Sequence, residues 1–198
     1  MSKRSEVLEL AVLGLLHESP MHGYELRKRL NGLLGALRAI SYGSLYPALK
    51  AMLVAGWIAE DGPSAEAPVL TGRRAKIVYR LTAEGKERFA AMLGETGPPS
   101  WEDEGFGVRF AFFRHADAGV RLRVLEGRRA RLEERRERVR SALARTRERL
   151  DDYTLELQRH GLESVEGEVR WLDELIDSER QAGQAAQDTT RQHPTRET

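Results

Sequence analysis

Between Val7 and Leu16 nearly every position is apolar, which predicts a buried helix over Ser5–His17, broken by Ser19-Pro20. The stretch 23–37 (GYELRKRLNGLLGAL) spaces Leu26, Leu30, Leu33 and Leu37 by four, three and four, the repeat of an amphipathic helix. A turn is expected at Ile40–Ser44. The run SYGSLYPALKAML, Ser41–Leu53, then predicts a third helix with Leu45, Leu49, Met52 and Leu53 in one sector, ended by Gly56. WIAE follows as a short strand carrying Trp57 and Ile58. A loop rich in Gly, Pro and Ala leads to AKIVYRL, whose alternation marks a half-buried strand. Thr82 caps a fourth helix, in which Gly85 is a weak point. Three helices, then two strands joined by a basic loop, then a helix, is the order of a winged helix-turn-helix.

The second half changes character. Residues 96–116 read as a linker, with Pro98-Pro99 as a stiff spacer; VRFAFF within them is too short to classify. One long helix is expected from Asp117 to about Arg159. Leu125, Leu132, Val139, Thr146 and Tyr153 recur every seven residues, and Leu122, Leu143, Leu150 and Leu157 lie beside that line. Arg129 and Arg136 interrupt the second line, a departure from an ideal two-stranded coiled coil. His160-Gly161 should end the helix. A further amphipathic helix is expected at Val165–Glu179, with Val165, Val169, Leu172 and Ile176 on one face. Beyond Gln181 the chain is polar and reads as disordered. The expected fold is mainly α with a small β-hairpin. Its parts are a winged helix-turn-helix at 1–95, the linker, a helical dimerisation domain at 117–180 and a tail at 181–198.

Composition removes several classes of function. The 198 residues include no cysteine, which excludes disulfides, zinc–thiolate sites and thiol catalysis. No apolar run approaches the ~18 residues that cross a bilayer. The start is basic and then apolar, as a leader would be, but Glu6 and Glu9 interrupt it, so it reads as the first helix. His17, His22, His115, His160 and His193 are scattered, and no HExxH, GxSxG or phosphate-loop pattern occurs. Neither catalysis nor a cofactor is expected. The net charge is only +1, yet it is unevenly spread. Residues 1–95 hold 13 basic and 10 acidic residues, 121–149 hold 12 arginines against 5 glutamates, and 161–198 hold 4 basic and 9 acidic. An argument for nucleic acid must therefore be local.

The third helix supplies one. Opposite its apolar sector lie Gly43, Pro47, Lys50 and Ala51, with Ser44 close by and Tyr46 at the border. Pro47 is tolerable if the helix starts near Gly43 or Ser44, where first-turn N–H groups lack helical partners and favour an anion. Small residues at Gly43 and Ser44 let a DNA backbone approach. Ser44 and Tyr46 can donate to phosphates or base edges, and Lys50 can neutralise a phosphate. Arg73, Arg74 and Lys76 crowd the tip between the two strands, as a wing on a phosphate ridge requires. His22, Tyr24 and Arg27, at the start of the second helix, are candidates for the opposite side of the groove. The bland alternative makes the tyrosines core and the cations solvated surface.

Three segments in order, LAVLGLLHESPMHGYELRKRL, SYGSLYPALKAMLVAGWI and RRAKIVYRLTAEGKERF, resemble the PadR family of bacterial transcriptional regulators over about residues 6–92. The resemblance implies a cytoplasmic repressor of a palindromic operator, with Tyr42, Ser44, Tyr46 and Lys50 as recognition-helix contacts and Arg73, Arg74 and Lys76 in the wing. The loop 62–72 is longer than the compact wing of that family. A homodimer is expected through Leu125, Leu132, Val139, Leu143, Leu150, Tyr153, Leu157, Val169, Leu172 and Ile176, unless these faces fold back on one another. The family also implies a small-molecule effector, for which Trp101, Phe110, Phe113 and Trp171 are the candidate pocket. The arginine-dense helix could hold an anion, though pairing with carboxylates one helical turn away accounts for it more simply. The competing reading is a protein–protein adaptor that uses a winged fold without DNA.

Overall fold

A computed structural model of the protein describes residues 3–34, 41–61, 77–146 and 151–192. They form two compact units. The first, residues 1–95 with 103–116, contains α1 (Lys3–Glu18), β1 (Met21–His22), α2 (Gly23–Leu34), α3 (Tyr42–Val54), β2 (Ile58–Asp61), β3 (Val78–Leu81), α4 (Ala83–Gly94) and α5 (Asp103–Ala111). It is a winged helix-turn-helix with an added helix. The apolar run of α1 makes its centre: Leu10 to Leu13 are buried, with Leu26, Leu30, Leu45, Leu49, Met52, Ile58 and Phe89 around them. Each such side chain contributes roughly 1.5–3 kcal/mol through burial.

The small sheet has three strands rather than the expected two. Its order is β1-β3-β2, all antiparallel, with Met21 opposite Tyr79 and Ile58 opposite Leu81. Gly56, at φ +75°, turns the chain from α3 into β2, a left-handed conformation that favours glycine. The amides of Ala55 and Trp57 return to the carbonyls of Ala51 and Met52, closing α3. Gly85 is required by a close approach: a Cβ there would stand 1.9 Å from the Trp57 carbonyl oxygen. Thr82 binds the same corner, donating to the Gly56 carbonyl at 2.7 Å and accepting from the Gly85 amide at 3.0 Å.

Much of the expected linker is folded. Asp103–Ala111 is helical and Phe113–His115 is a 3-10 turn. Val108 and Phe112, one helical turn apart, are buried in the core of the first unit. The Phe112 ring lies against Gly14 of α1, where a Cβ would come within 2.4 Å of it. Glycine in the middle of an apolar helix thus marks a socket.

The second unit, residues 96–102 with 117–198, is built on α6 (Ala118–Thr146) and α7 (Asp152–Gln192). The single long helix expected to end at His160-Gly161 breaks earlier, and α7 runs through Gly161. Asp151 sets the break: its carboxylate accepts from the Thr154 amide at 3.0 Å and from the Thr154 hydroxyl at 2.7 Å, capping α7. These bonds to the ionised carboxylate hold its pKa below the ordinary value. The helix also continues past Gln181 to Gln192, where a disordered tail was expected; residues 193–198 lie outside the described ones.

Arg121 pairs with Glu179, Arg128 with Glu168 and Arg140 with Glu166, so α6 and α7 run antiparallel. Arg129–Asp173 and Arg180–Glu126 join the same ladder at 2.8 and 2.7 Å. Four arginines of α6, Arg121, Arg128, Arg129 and Arg140, are therefore matched by carboxylates of α7, while Arg129 and Arg131 also pair with neighbours on their own helix. Leu125, Leu132, Val165, Val169, Leu172 and Ile176 are buried in the same unit. The heptad line thus closes in part on its own chain. Arg128 also donates to the Trp101 carbonyl at 2.8 Å, and the Trp101 ring fills the place where a Cβ of Gly127 would stand.

Candidate nucleic-acid interface

Ser41 begins α3. Its extended backbone and its Oγ, which accepts from the Ser44 amide at 3.2 Å, form an N-cap. The helix therefore starts one residue earlier than Gly43, and Pro47 falls in its second turn. Without an N–H, Pro47 gives nothing to the Gly43 carbonyl four residues back; both residues lie on the exposed side. The cap also uses the Ser44 amide that was expected to await an anion. Ser44 Oγ lies 3.1 Å from Ser41 Oγ.

The division of α3 into two faces holds in three dimensions. Leu45, Leu49 and Met52 are buried, while Tyr42, Gly43, Ser44, Tyr46, Pro47, Lys50 and Ala51 are exposed. Tyr42 is 42 % exposed and Tyr46 47 %, which sets aside the reading of either as core. Their rings stack, 5.8 Å apart and 20° from parallel. The Arg27 guanidinium of α2 sits 4.0 Å from the centre of the Tyr42 ring. The Tyr46 hydroxyl reaches back to the start of α2, 3.4 Å from where a Cβ on Gly23 would stand. Burial raises the pKa of the neighbouring Tyr79 phenol, with Glu60 and Tyr46 acting the same way. Arg27, Tyr42 and Tyr46 thus form one group spanning two helices.

The other candidates are distributed around it. Tyr24 is 68 % exposed. His22 belongs to β1, and its Nδ1 lies 3.2 Å from the Ile77 carbonyl oxygen, so the ring is held at the root of the wing. Arg80 of β3 pairs with Asp61 of β2 at 2.6 Å. Arg73, Arg74 and Lys76 lie outside the described residues, as does Leu150.

The aromatic quartet Trp101, Phe110, Phe113 and Trp171 is divided between the units. Phe110 stands 5.7 Å from Phe106 and 5.2 Å from Phe113 in the first, while Trp101 and Trp171 belong to the second. A cavity of about 220 Å³ lies elsewhere, between α6 and α7, lined by Arg140, Leu143, Ala144, Leu155, Arg159 and Leu162. Of its lining only Leu143 belongs to the seam expected from the sequence. Tyr153 and Leu157 of α7 are 90 % and 66 % exposed. Among the described residues no group of His, Asp or Glu is placed to hold a metal, and no helix is long and apolar enough to cross a membrane.

Residues 12–91 match the transcriptional regulator PadR-like family. The chain is similar to the crystal structure of Bacillus subtilis PadR in complex with operator DNA, at 18% identity, TM-score 0.41, covering 87% of this chain and 99% of that one. It is similar to the same protein in complex with p-coumaric acid, at 19% identity and TM-score 0.39, over 88% and 99% of the two chains. The putative transcriptional regulator TA0346 from Thermoplasma acidophilum is 29% identical with TM-score 0.37, over 44% of this chain and 75% of that one. No curated protein matches.

Proposed function

We propose, on the premise that this chain is a PadR-like transcriptional regulator, that it is a cytoplasmic repressor binding a palindromic operator as a homodimer. Two α3 helices enter successive major grooves about one helical turn apart, roughly 34 Å. Tyr42, Ser44 and Tyr46 face base edges and phosphates, and Lys50 neutralises a phosphate. Tyr24 flanks the same groove from α2. Arg73, Arg74 and Lys76 of the wing, with His22 at its root, hold the adjacent backbone. Repression follows from occlusion of the promoter.

The observation that carries this reading is the outer face of α3. A helix that buries three aliphatic side chains and leaves two stacked tyrosines half exposed presents a flat surface of polar-tipped rings, which a groove can cover. Dimerisation is supported by Tyr153 and Leu157, large side chains of α7 left exposed to water. A small-molecule effector that shifts the spacing of the two heads would release the operator. The cavity between α6 and α7, lined mainly by Leu143, Ala144, Leu155 and Leu162, suits a largely apolar ligand.

Selection of genomic fragments with the purified full chain tests the reading. A palindromic winner whose affinity falls steeply with salt is expected. Failure to enrich any sequence, with and without added cell extract as a source of effector, contradicts it.

A further inference from the structure

The structure assigns Arg27 a different task from the phosphate contact its charge suggests: we propose that it is a positioning residue that fixes the Tyr42–Tyr46 stack for base discrimination. The inference rests on the reading of α3 as the recognition helix. Three planes lie in series. The Arg27 guanidinium is 4.0 Å from the Tyr42 ring centre, and the Tyr42 ring is 5.8 Å from Tyr46 at 20°. The Tyr46 hydroxyl in turn lies beside Gly23 at the start of α2, 3.4 Å from where a Cβ there would stand. The series therefore begins and ends on α2 and passes through α3. Leu26 and Leu30 of α2 and Leu45 and Leu49 of α3 are fully buried in the same core, so both backbones are held.

Such an arrangement answers a specific problem. A tyrosine in the first turn of an exposed helix face has open rotamers, and each rotamer presents its hydroxyl at a different place. Discrimination between bases needs one place. A guanidinium stacks flat on a ring and limits its tilt; an ammonium does not, although it carries the same charge. Arg27 thereby acts on DNA through Tyr42. Its charge stays near the groove and contributes no more than a lysine would.

The test compares the full-length wild type with Arg27→Lys, Arg27→Ala, Tyr42→Phe and Tyr42→Leu. Each is used to select from a randomised 30-base-pair duplex library, followed by affinity measurements on the wild-type winner and single-mismatch duplexes over a range of salt. Circular dichroism and thermal midpoints check that each variant is folded. Arg27→Lys is expected to lose roughly five- to thirtyfold in the ratio of matched to mismatched affinity, the range of a partly desolvated cation–aromatic contact. Its salt slope should equal that of wild type. Tyr42→Leu and Tyr42→Phe, which both lack the hydroxyl that Arg27 places, should lose at least the same ratio, and Arg27→Lys added to Tyr42→Leu should cost nothing further. If Arg27→Lys keeps the wild-type preference while Arg27→Ala weakens all sequences alike and lowers the salt slope, Arg27 is a phosphate contact and the proposal is overturned, with the reading of α3 intact. Should the wild type itself enrich no sequence, the reading of α3 falls and the proposal with it.

Discussion

A Cβ on Gly85 has nowhere to go, because the Trp57 carbonyl carbon and oxygen occupy its place. Substitution by alanine would raise helix propensity by ~1 kcal/mol, yet must push α4 off the β2 corner, where overpacking costs ~1–3 kcal/mol and the Thr82 bonds go with it. Gly85→Ala should therefore lower stability in urea unfolding, by about 2 kcal/mol net; an increase would show that the corner is slack. His17 sets a pH dependence. Burial holds its imidazole below the ordinary 6.5; His115, Lys86 and Arg114 push the same way, against Glu18. Its ring packs between Phe89 at 5.0 Å and His115 at 4.7 Å. The folded state thus prefers the neutral ring. The stability this represents is present above the unfolded value of about 6.5 and is lost as pH falls through the lowered folded value. The urea midpoint of the wild type should drop between pH 7.5 and 5.5 by more than that of His17→Asn; equal drops would contradict the assignment.

At the scale of elements, Leu172 is fully buried in the α6–α7 unit. Leu172→Ala should cost ~2–5 kcal/mol of its stability, read by thermal unfolding; an unchanged midpoint would mean that α7 is not packed there. The helices most legible in the sequence were those with an unambiguous stripe: α1 with its apolar run, and α3 with Leu45, Leu49 and Met52. β1 was invisible because two residues carry no period; Met21 and His22 are strand only through their pairing with β3. The folding of α5 was hidden by length. Val108 and Phe112 give one helical repeat, and the Gly14 socket of Phe112 lies nearly a hundred residues earlier. The break before α7 was concealed by strong helix formers on both sides, so that only the local pairing of Asp151 with Thr154 marks it. The exposed face of α3 could be read from spacing. Its link to Arg27 could not, since that depends on how α2 and α3 cross.

For the whole molecule, the arginine-rich stretch illustrates why net charge is a poor guide. Twelve arginines in 121–149 look like a nucleic-acid tract, but four of them, Arg121, Arg128, Arg129 and Arg140, pair with carboxylates of the acidic α7. Tyr153 and Leu157 of α7 remain exposed large side chains on this hairpin. On the proposed homodimer, Tyr153→Glu with Leu157→Glu should give a monomer in light scattering and weaken binding to the proposed operator about a hundredfold or more, because linked half-sites gain that order of avidity. A double variant that remains dimeric would place the interface elsewhere.

The outer face of α3 is proposed to lie against DNA, and Lys50 is its exposed cation. The most direct measurement is fluorescence anisotropy of one selected duplex with wild type and Lys50→Ala across a salt series. The account predicts a weaker affinity at every salt, the same loss on matched and mismatched duplexes, and a log–log slope lower by about one per half-site. Identical affinities and identical slopes would remove Lys50, and with it this face of α3, from the DNA backbone.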